Sequence, residues 1–513
     1  MDRTERPPLR LPRRRAPWLA AVLLALACDA SQAADWTVSP GIGLRQSYSD
    51  NINLSTGPAA MHDWVTELIP RLDVAVEGAR FKLRGQYALH YLRYHNESNP
   101  SQVQHTAVFD AHGDLVKDWL YLDSAVNVSQ QRLSSFGPQF IDPVNLTANR
   151  TEVRTYSLSP YLRHEFDSTA TSELRYTWQK TESSETRALD GQTDRLLASV
   201  SSGPRFGRWG WTLTADQEKI DYASADDVKL NRYTAQVKYA ITPRVALNAT
   251  AGYENNNYVY TGSSPSGRLW SVGASWTPSE RSLLSASLGH RYFGSTYSLT
   301  AQHRSAHTAW NVTYNEDVST QNATPRADAV ETASFLNQLW AASIPDPAAR
   351  QRIVNAFILA NNLPATLSSN IFGLSNRVYL QRTWLASVAF EGARNTVLLQ
   401  LTSQRRRPLD AGTPAGTGVT VLSDDVLQTG LSGTWSMRLS PLTSIDATAG
   451  LARISSFSND RLDRIKTMRL GLSHQIGKRT TGLVEVRRQQ RFSNVPDQDY
   501  TENALAFFVS MQF

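Results

Sequence analysis

The sequence predicts an all-β fold: a transmembrane, antiparallel, up-and-down β-barrel of about 22 strands (20–24) with one helical insert. Three observations predict it. The first residues read as an export leader, apolar residues recur at every second position through most of the chain, and the last segment alternates up to an aromatic residue.

The leader comes first. Arg10, Arg13, Arg14 and Arg15 precede the apolar run Ala16–Ala27, and Ser31-Gln32-Ala33 supplies small residues at a cleavage site. That is the layout of a signal peptide, with cleavage expected after Ala33 and residues 1–33 removed. Cys28 follows Leu26-Ala27, so a lipoprotein signal is the competing reading, although Ala25 stands where Leu is usual. The leader holds three of the six net positive charges of the 513-residue chain, and its lone cysteine. Without it the basic balance that hints at nucleic acid mostly disappears, and neither a disulfide scaffold nor a Cys-based metal site is possible.

The alternating segments follow. No later stretch reaches the roughly 18 apolar residues of a membrane helix. In 427–439, Leu427, Thr429, Leu431, Gly433, Trp435, Met437 and Leu439 alternate with Gln428, Gly430, Ser432, Thr434, Ser436 and Arg438. Successive strand side chains point to opposite faces, so one face is apolar and the other polar. Trp270, Val272, Ala274 and Trp276 repeat the pattern, as do Met468, Leu470 and Leu472. Leu505, Phe507, Val509, Met511 and Phe513 share one face of the last segment, which resembles the C-terminal strand that outer-membrane assembly machinery reads. The other reading is the last strand of a soluble sandwich.

Segments of this kind run from 35–47 to 499–513 and form a single barrel domain over 34–513. Tight turns such as Glu77-Gly78-Ala79-Arg80, Lys117-Asp118 and Ser440-Pro441 alternate with longer stretches such as 133–150, 258–267 and 408–424. Short turns on one side and long loops on the other are the habit of membrane barrels. An even strand count puts both strand ends on the periplasmic side. Trp36, Trp119, Trp209, Trp211 and Trp276 fall near that side, as an interfacial girdle would. At about 4.8 Å per strand and a tilt near 40°, such a barrel is about 44 Å wide. Wall side chains alone do not fill that width. A strand starting near Asp35 leaves no room for an N-terminal plug, so something else must narrow the lumen or the pore is large.

Residues 321–375 break the alternation. Phe335, Leu336, Leu339 and Trp340 cluster on one face of a helix over 328–342. A second helix is expected over 347–360, with Asp346 as N-cap, Pro347 at its first position, and Ile353, Val354, Phe357 and Ile358 as its stripe. Strand parity places the insert on the extracellular side. It either caps or enters the lumen, or packs as a hairpin on the loop surface.

No catalytic or metal motif stands out, and no cofactor is expected. His303 and His307 are four apart but flank a turn. Of the 52 Lys and Arg residues, most are Arg. Arg84, Arg93, Arg163, Arg175, Arg438, Arg469, Arg487 and Arg491 alternate with apolar neighbours and are the candidate lumen lining. Guanidinium groups there would select anionic or polyhydroxylated solutes, unless Asp and Glu stand opposite them. Arg405-Arg406-Arg407 ends a strand at the outer rim, where it would meet lipopolysaccharide phosphates or simply water.

Pro40–Leu54 (PGIGLRQSYSDNINL), the block His290–Thr300 (HRYFGSTYSLT), His303-Arg304 and Trp310–Asp317 (WNVTYNED) resemble the PEP-CTERM-system-associated outer-membrane β-barrel proteins. The resemblance spans the region after the leader. It implies a Gram-negative outer membrane and a genetic setting beside exopolysaccharide and exosortase genes, and it carries over no catalytic residue. A porin-like barrel serving exopolysaccharide export or surface sorting is then the leading expectation. A docking barrel for surface polymer and an outer-membrane hydrolase on lipid or glycan are the alternatives. The expected partners are outer-membrane lipid and lipopolysaccharide, the assembly machinery, and exopolysaccharide or its export proteins, with no nucleic acid and a monomeric state.

Overall fold

A computed structural model describes residues 34–513 except 97–98, 186–188, 224, 259, 261, 263, 321–331, 341–349, 351–353, 355–374 and 411–424. The expected leader, residues 1–33, and most of the insert lie outside the described residues.

The chain forms one 22-stranded antiparallel sheet closed on itself. In order, the strands are β1 (Asp35–Ser49), β2 (Asp63–Glu77), β3 (Phe81–Tyr94), β4 (Gln102–Val116), β5 (Leu120–Arg132), β6 (Arg150–Phe166), β7 (Ala170–Ser183), β8 (Gly191–Ser202), β9 (Trp209–Tyr222), β10 (Val228–Thr242) and β11 (Val245–Asn256). There follow β12 (Gly267–Ser279), β13 (Ser282–Arg291), β14 (Gly294–Arg304), β15 (Thr308–Ser319), β16 (Tyr379–Glu391), β17 (Asn395–Pro408), β18 (Val426–Ser440), β19 (Thr443–Ser456), β20 (Leu462–Gly477), β21 (Thr480–Ser493) and β22 (Tyr500–Gln512). Each pairs with its sequence neighbours, and β1 closes on β22 from Gly41↔Gln512 to Ser49↔Ala504. Asp50 finishes that seam: its carboxylate accepts bonds from the Asn503 backbone N–H and side-chain amide, both at 2.7 Å.

The period-2 pattern explains the two faces. Leu427, Leu431, Trp435 and Met437 of β18 point outward with Leu399 and Leu401 of β17, while Gln428, Ser432 and Thr434 point inward. Leu431 is 51% exposed and Gln428 only 3%. The order of a soluble protein is inverted, as expected where the outer face meets hydrocarbon and the lumen holds polar groups. A closed sheet with this apolar belt is an outer-membrane barrel of a Gram-negative bacterium. Trp36, Trp119, Trp209 and Trp276 stand exposed at its short-turn end, where amphipathic rings favour the interface.

Turn chemistry agrees with the register. The turn after β4 places Asp118 at φ 62° and that after β6 places Asp167 at φ 47°. Asp tolerates this left-handed region better than most residues. Within the 328–342 expected, the described residues form the helix α1 (Thr332–Leu339), while 328–331 and 341–342 lie outside the described residues. Of the second expected helix, Arg350 and Val354 are described, both helical. Asp346, Pro347, Ile353, Phe357 and Ile358 lie outside the described residues.

The two faces differ in what they tolerate. Leu431→Lys, near the middle of β18, is expected to cost about 2–4 kcal/mol, and Ser432→Lys well under half of that. Urea unfolding of the barrel in lipid vesicles checks this; equal costs would contradict the assigned faces.

Candidate functional site: a lumen narrowed from two sides

Among the described residues, two long segments pack into the lumen, apart from a further buried cluster of Tyr258, Val378 and Leu409 with Ile220, Tyr222 and Val228. The first is the loop 133–149 between β5 and β6. Asn149 ties its base, accepting from the Ser134 N–H at 2.7 Å and donating to the Ser134 carbonyl at 2.9 Å. Two apolar residues anchor its ends. Val144 is buried among Ile52, Val65, Leu92 and Tyr94, and Phe136 among Val426, Ile454 and Ile465. The loop therefore bridges from β2–β3 to β18–β20.

Polar groups complete the anchorage. Asp142 accepts from Arg45 Nη2 at 2.6 Å and from Arg487. Arg487 also reaches Glu502 at 3.0 Å, which accepts from Asn145 at 2.7 Å and Ser49 at 2.8 Å. Further along, the Phe136 carbonyl accepts from Arg491 at 2.7 Å and Arg461 at 2.8 Å, and Gln489 donates to the Gln139 carbonyl at 2.6 Å. Arg487, Arg491, Gln489 and Glu502 are all at least nine-tenths buried. Burial alone would push the Asp142 carboxyl up; Arg45 and Arg487 overrule it and hold it well below the usual carboxylate range.

The second segment is the insert. Phe335, Leu336, Leu339 and Trp340, with Val354, are buried against Ala309, Leu385, Ala389 and Leu398. Those four wall residues face inward, and Ala309, Ala389 and Leu398 lie near the short-turn ends of β15, β16 and β17. The described part of the insert thus packs inside the lumen, deep toward the periplasmic end, and the surface-hairpin reading does not describe it.

The register places seven of the eight candidate arginines on the inward face: Arg84, Arg163, Arg175, Arg438, Arg469, Arg487 and Arg491. Arg93 points outward, opposite Thr66 and beyond the exposed Tyr91. Arg84 and Arg93 are nine positions apart, an odd number, so one unbroken strand sets them on opposite faces. Six of the inward seven meet carboxylates: Arg84 with Glu77, Arg163 with Glu165, Arg175 with Asp123 and Glu173, Arg469 with Glu485, Arg487 with Asp142 and Glu502, and Arg491 with Asp463. Arg438 donates to the Ala393 carbonyl. Across the barrel, Arg195 pairs with Asp216, and Arg232 and Arg291 share Glu254 and Asp317. The wall is charge-balanced, not an electropositive tube.

Elsewhere, Arg405 pairs with Asp425 and covers the Phe457 ring, while Arg406 turns inward to Gln381. His303 bonds Ser282. Among the described residues, no group of three or more His, Cys, Asp or Glu could hold a metal ion. Phe507, Val509 and Met511 lie on the outward face with Leu505, and Phe513 donates its backbone N–H to Pro40.

No family model matches the chain, and no curated protein matches it. Solved outer-membrane receptors are similar in fold. The siderophore receptor PirA from Pseudomonas aeruginosa is 8% identical, with 93% of this chain and 80% of that chain covered and a TM-score of 0.45. The ferric-catecholate import receptor Fiu from E. coli K12, in its open form, is 10% identical, with 92% and 81% covered and a TM-score of 0.47. The FrpB iron transporter from Neisseria meningitidis is 8% identical, with 96% and 84% covered and a TM-score of 0.49.

Removing the loop's central carboxylate tests the anchorage. A broken buried ion pair costs about 3–5 kcal/mol. Asp142→Asn is expected at the low end, because Arg487 keeps Glu502 and Arg45 keeps Glu485. Amides of 139–146 should then exchange about a hundredfold faster with deuterium. The pH dependence has a definite sign. A carboxyl held below its unfolded value near 3.9 stabilises the docked loop fully above that value and loses this as pH falls through the depressed one. Exchange in the loop should be steady from pH 7 to 5, after correction for intrinsic rates, and rise only in strong acid.

Proposed function

We propose that this barrel is a gated outer-membrane channel for a saccharide polymer, serving exopolysaccharide export and the surface-sorting system that the sequence resemblance implies. The observation that carries the reading is the inward wall. Most of its arginines are paired with Asp or Glu, and among them lie hydroxyl and amide groups such as Asn248, Thr250, Ser271, Ser287, Thr300, Asn311 and Thr313. Such a wall exchanges hydrogen bonds with a polyhydroxylated solute at little electrostatic cost. An anion would gain little from guanidinium groups already paired with carboxylates.

The two inward segments make this a regulated passage. With loop 133–149 across one side and the described part of the insert against the other, the resting lumen is narrower than the bare 22-strand wall. Opening requires displacing one of them. The loop is held by ion pairs, and the described part of the insert by an apolar cluster.

Planar-bilayer recording of the purified barrel checks the reading. Wild type should show small conductance and weak cation–anion selectivity. Replacing 134–148 by a short Gly-Ser linker, or deleting 321–375, should each raise the conductance severalfold, and both together further. A barrel that never conducts, even with both segments removed, would overturn the channel reading. Strong anion selectivity would overturn the balanced-wall argument.

A further inference from the structure

Beneath the inward loop, where Ile141–Pro143 approach the wall, the lumen holds a cavity of about 380 Å³. That is within the size range of small-ligand sites, about 300–1,000 Å³. Its lining includes Arg45, Arg469, Glu485, Thr448, Thr467 and Phe508. Loop anchorage uses Arg45 but leaves the rest of this set unexplained.

The lining has two chemical parts. Glu485 sits between Arg469 (2.6 Å) and Arg45 (3.7 Å), so carboxylate and guanidinium groups face the space side by side. Thr448 and Thr467 add hydroxyls from the inward faces of β19 and β20. The other part is Phe508, an aromatic ring on the inward face of β22, where its strand neighbours are Ala506 and Ser510. Its seat is cut into β1. A Cβ at Gly43 would stand 2.7 Å from Phe508 Cε2, so only glycine lets the ring lie against the wall there.

An aromatic face carries negative charge density and attracts the weakly positive C–H face of a pyranose ring. Arg and Glu offer forked donors and acceptors to adjacent hydroxyls. Each guanidinium of the lining already has a carboxylate partner, Arg45 with Asp142, Arg469 with Glu485 and Arg487 with Glu502, so a charged sugar gains little over a neutral one. We propose that this cavity is a saccharide subsite. A neutral pyranose unit stacks on Phe508 and hydrogen-bonds to Arg469, Glu485 and the two threonines. The subsite rests on the saccharide reading of the channel and gives it an address.

Isothermal titration of the full-length barrel in detergent tests it, with maltohexaose and cellohexaose as neutral probes and a hexameric uronate as the charged one. The expected result is that at least one neutral hexasaccharide binds more tightly than the uronate. Phe508→Ala should weaken that binding at least tenfold, Phe508→Trp should retain it, and Arg469→Met should weaken it. Heat-modifiable gel migration confirms that each variant is folded. If no neutral hexasaccharide binds wild type, if the uronate binds more tightly, or if Phe508→Ala binds like wild type, the subsite is overturned. Such a failure in a barrel that conducts in bilayers leaves the channel reading standing. Phe508-dependent binding by a barrel that never conducts supports the subsite and removes the channel reading.

Discussion

A backbone amide in hydrocarbon has no water to bond, so a sheet that crosses a membrane must leave no open edge. The rest of this molecule depends on that constraint. It forces β1 onto β22, with Asp50 and Asn503 finishing the seam. Closure around this many strands fixes a wide lumen. A wide lumen walled by polar side chains cannot be filled by the wall alone. Loop 133–149 and the insert are the chain's response, and each uses a different attraction. Buried ion pairs dominate at the loop and apolar burial at α1.

That division bears on how the lumen changes state. Asp142 sits between Arg45 and Arg487, and every charge in that group has a second partner or a close neighbour of opposite sign. A solute bringing its own hydrogen-bonding groups competes with such contacts on like terms. The α1 cluster offers it nothing polar to compete for. Solute-driven opening is therefore easier at the loop, and the cavity beneath it lies where an arriving sugar would first meet the anchorage.

Much of this was legible in the sequence. The strands stood out because apolar residues alternate along most of them between clear turns, and the count of 22 is the observed one. Phe335, Leu336, Leu339 and Trp340 were legible as one apolar face, although only the structure shows that they pack on β15–β17. Arg93 departs from the other seven arginines because it lies an odd number of residues from Arg84 on one unbroken strand, so its side chain takes the opposite face. The role of loop 133–149 was not legible. Phe136 and Val144 are two of several apolar residues, with Leu133, Phe140, Ile141 and Leu146, set at irregular spacing in the loop, and nothing in that spacing says which of them meets the far wall. Asp142, Arg45 and Arg487 meet only when strands far apart in sequence close into one wall. Phe508 was visible as an aromatic on the polar face of the last strand, but its seat at Gly43 depends on the β1–β22 register.

The most direct test of the central claim, that loop 133–149 is docked inside the lumen, is thiol cross-linking in intact cells. Asn145 donates to Glu502 at 2.7 Å. Side chains that meet at their tips hold their Cβ atoms too far apart for a disulfide, but cysteines at the two positions lie within reach of a short bifunctional thiol reagent when the loop is in. Asn145→Cys with Glu502→Cys should be bridged by dibromobimane in the outer membrane, while a membrane-impermeant maleimide should reach the loop cysteine poorly. A pair that dibromobimane does not bridge, with a loop cysteine that reacts freely from outside, would contradict the account.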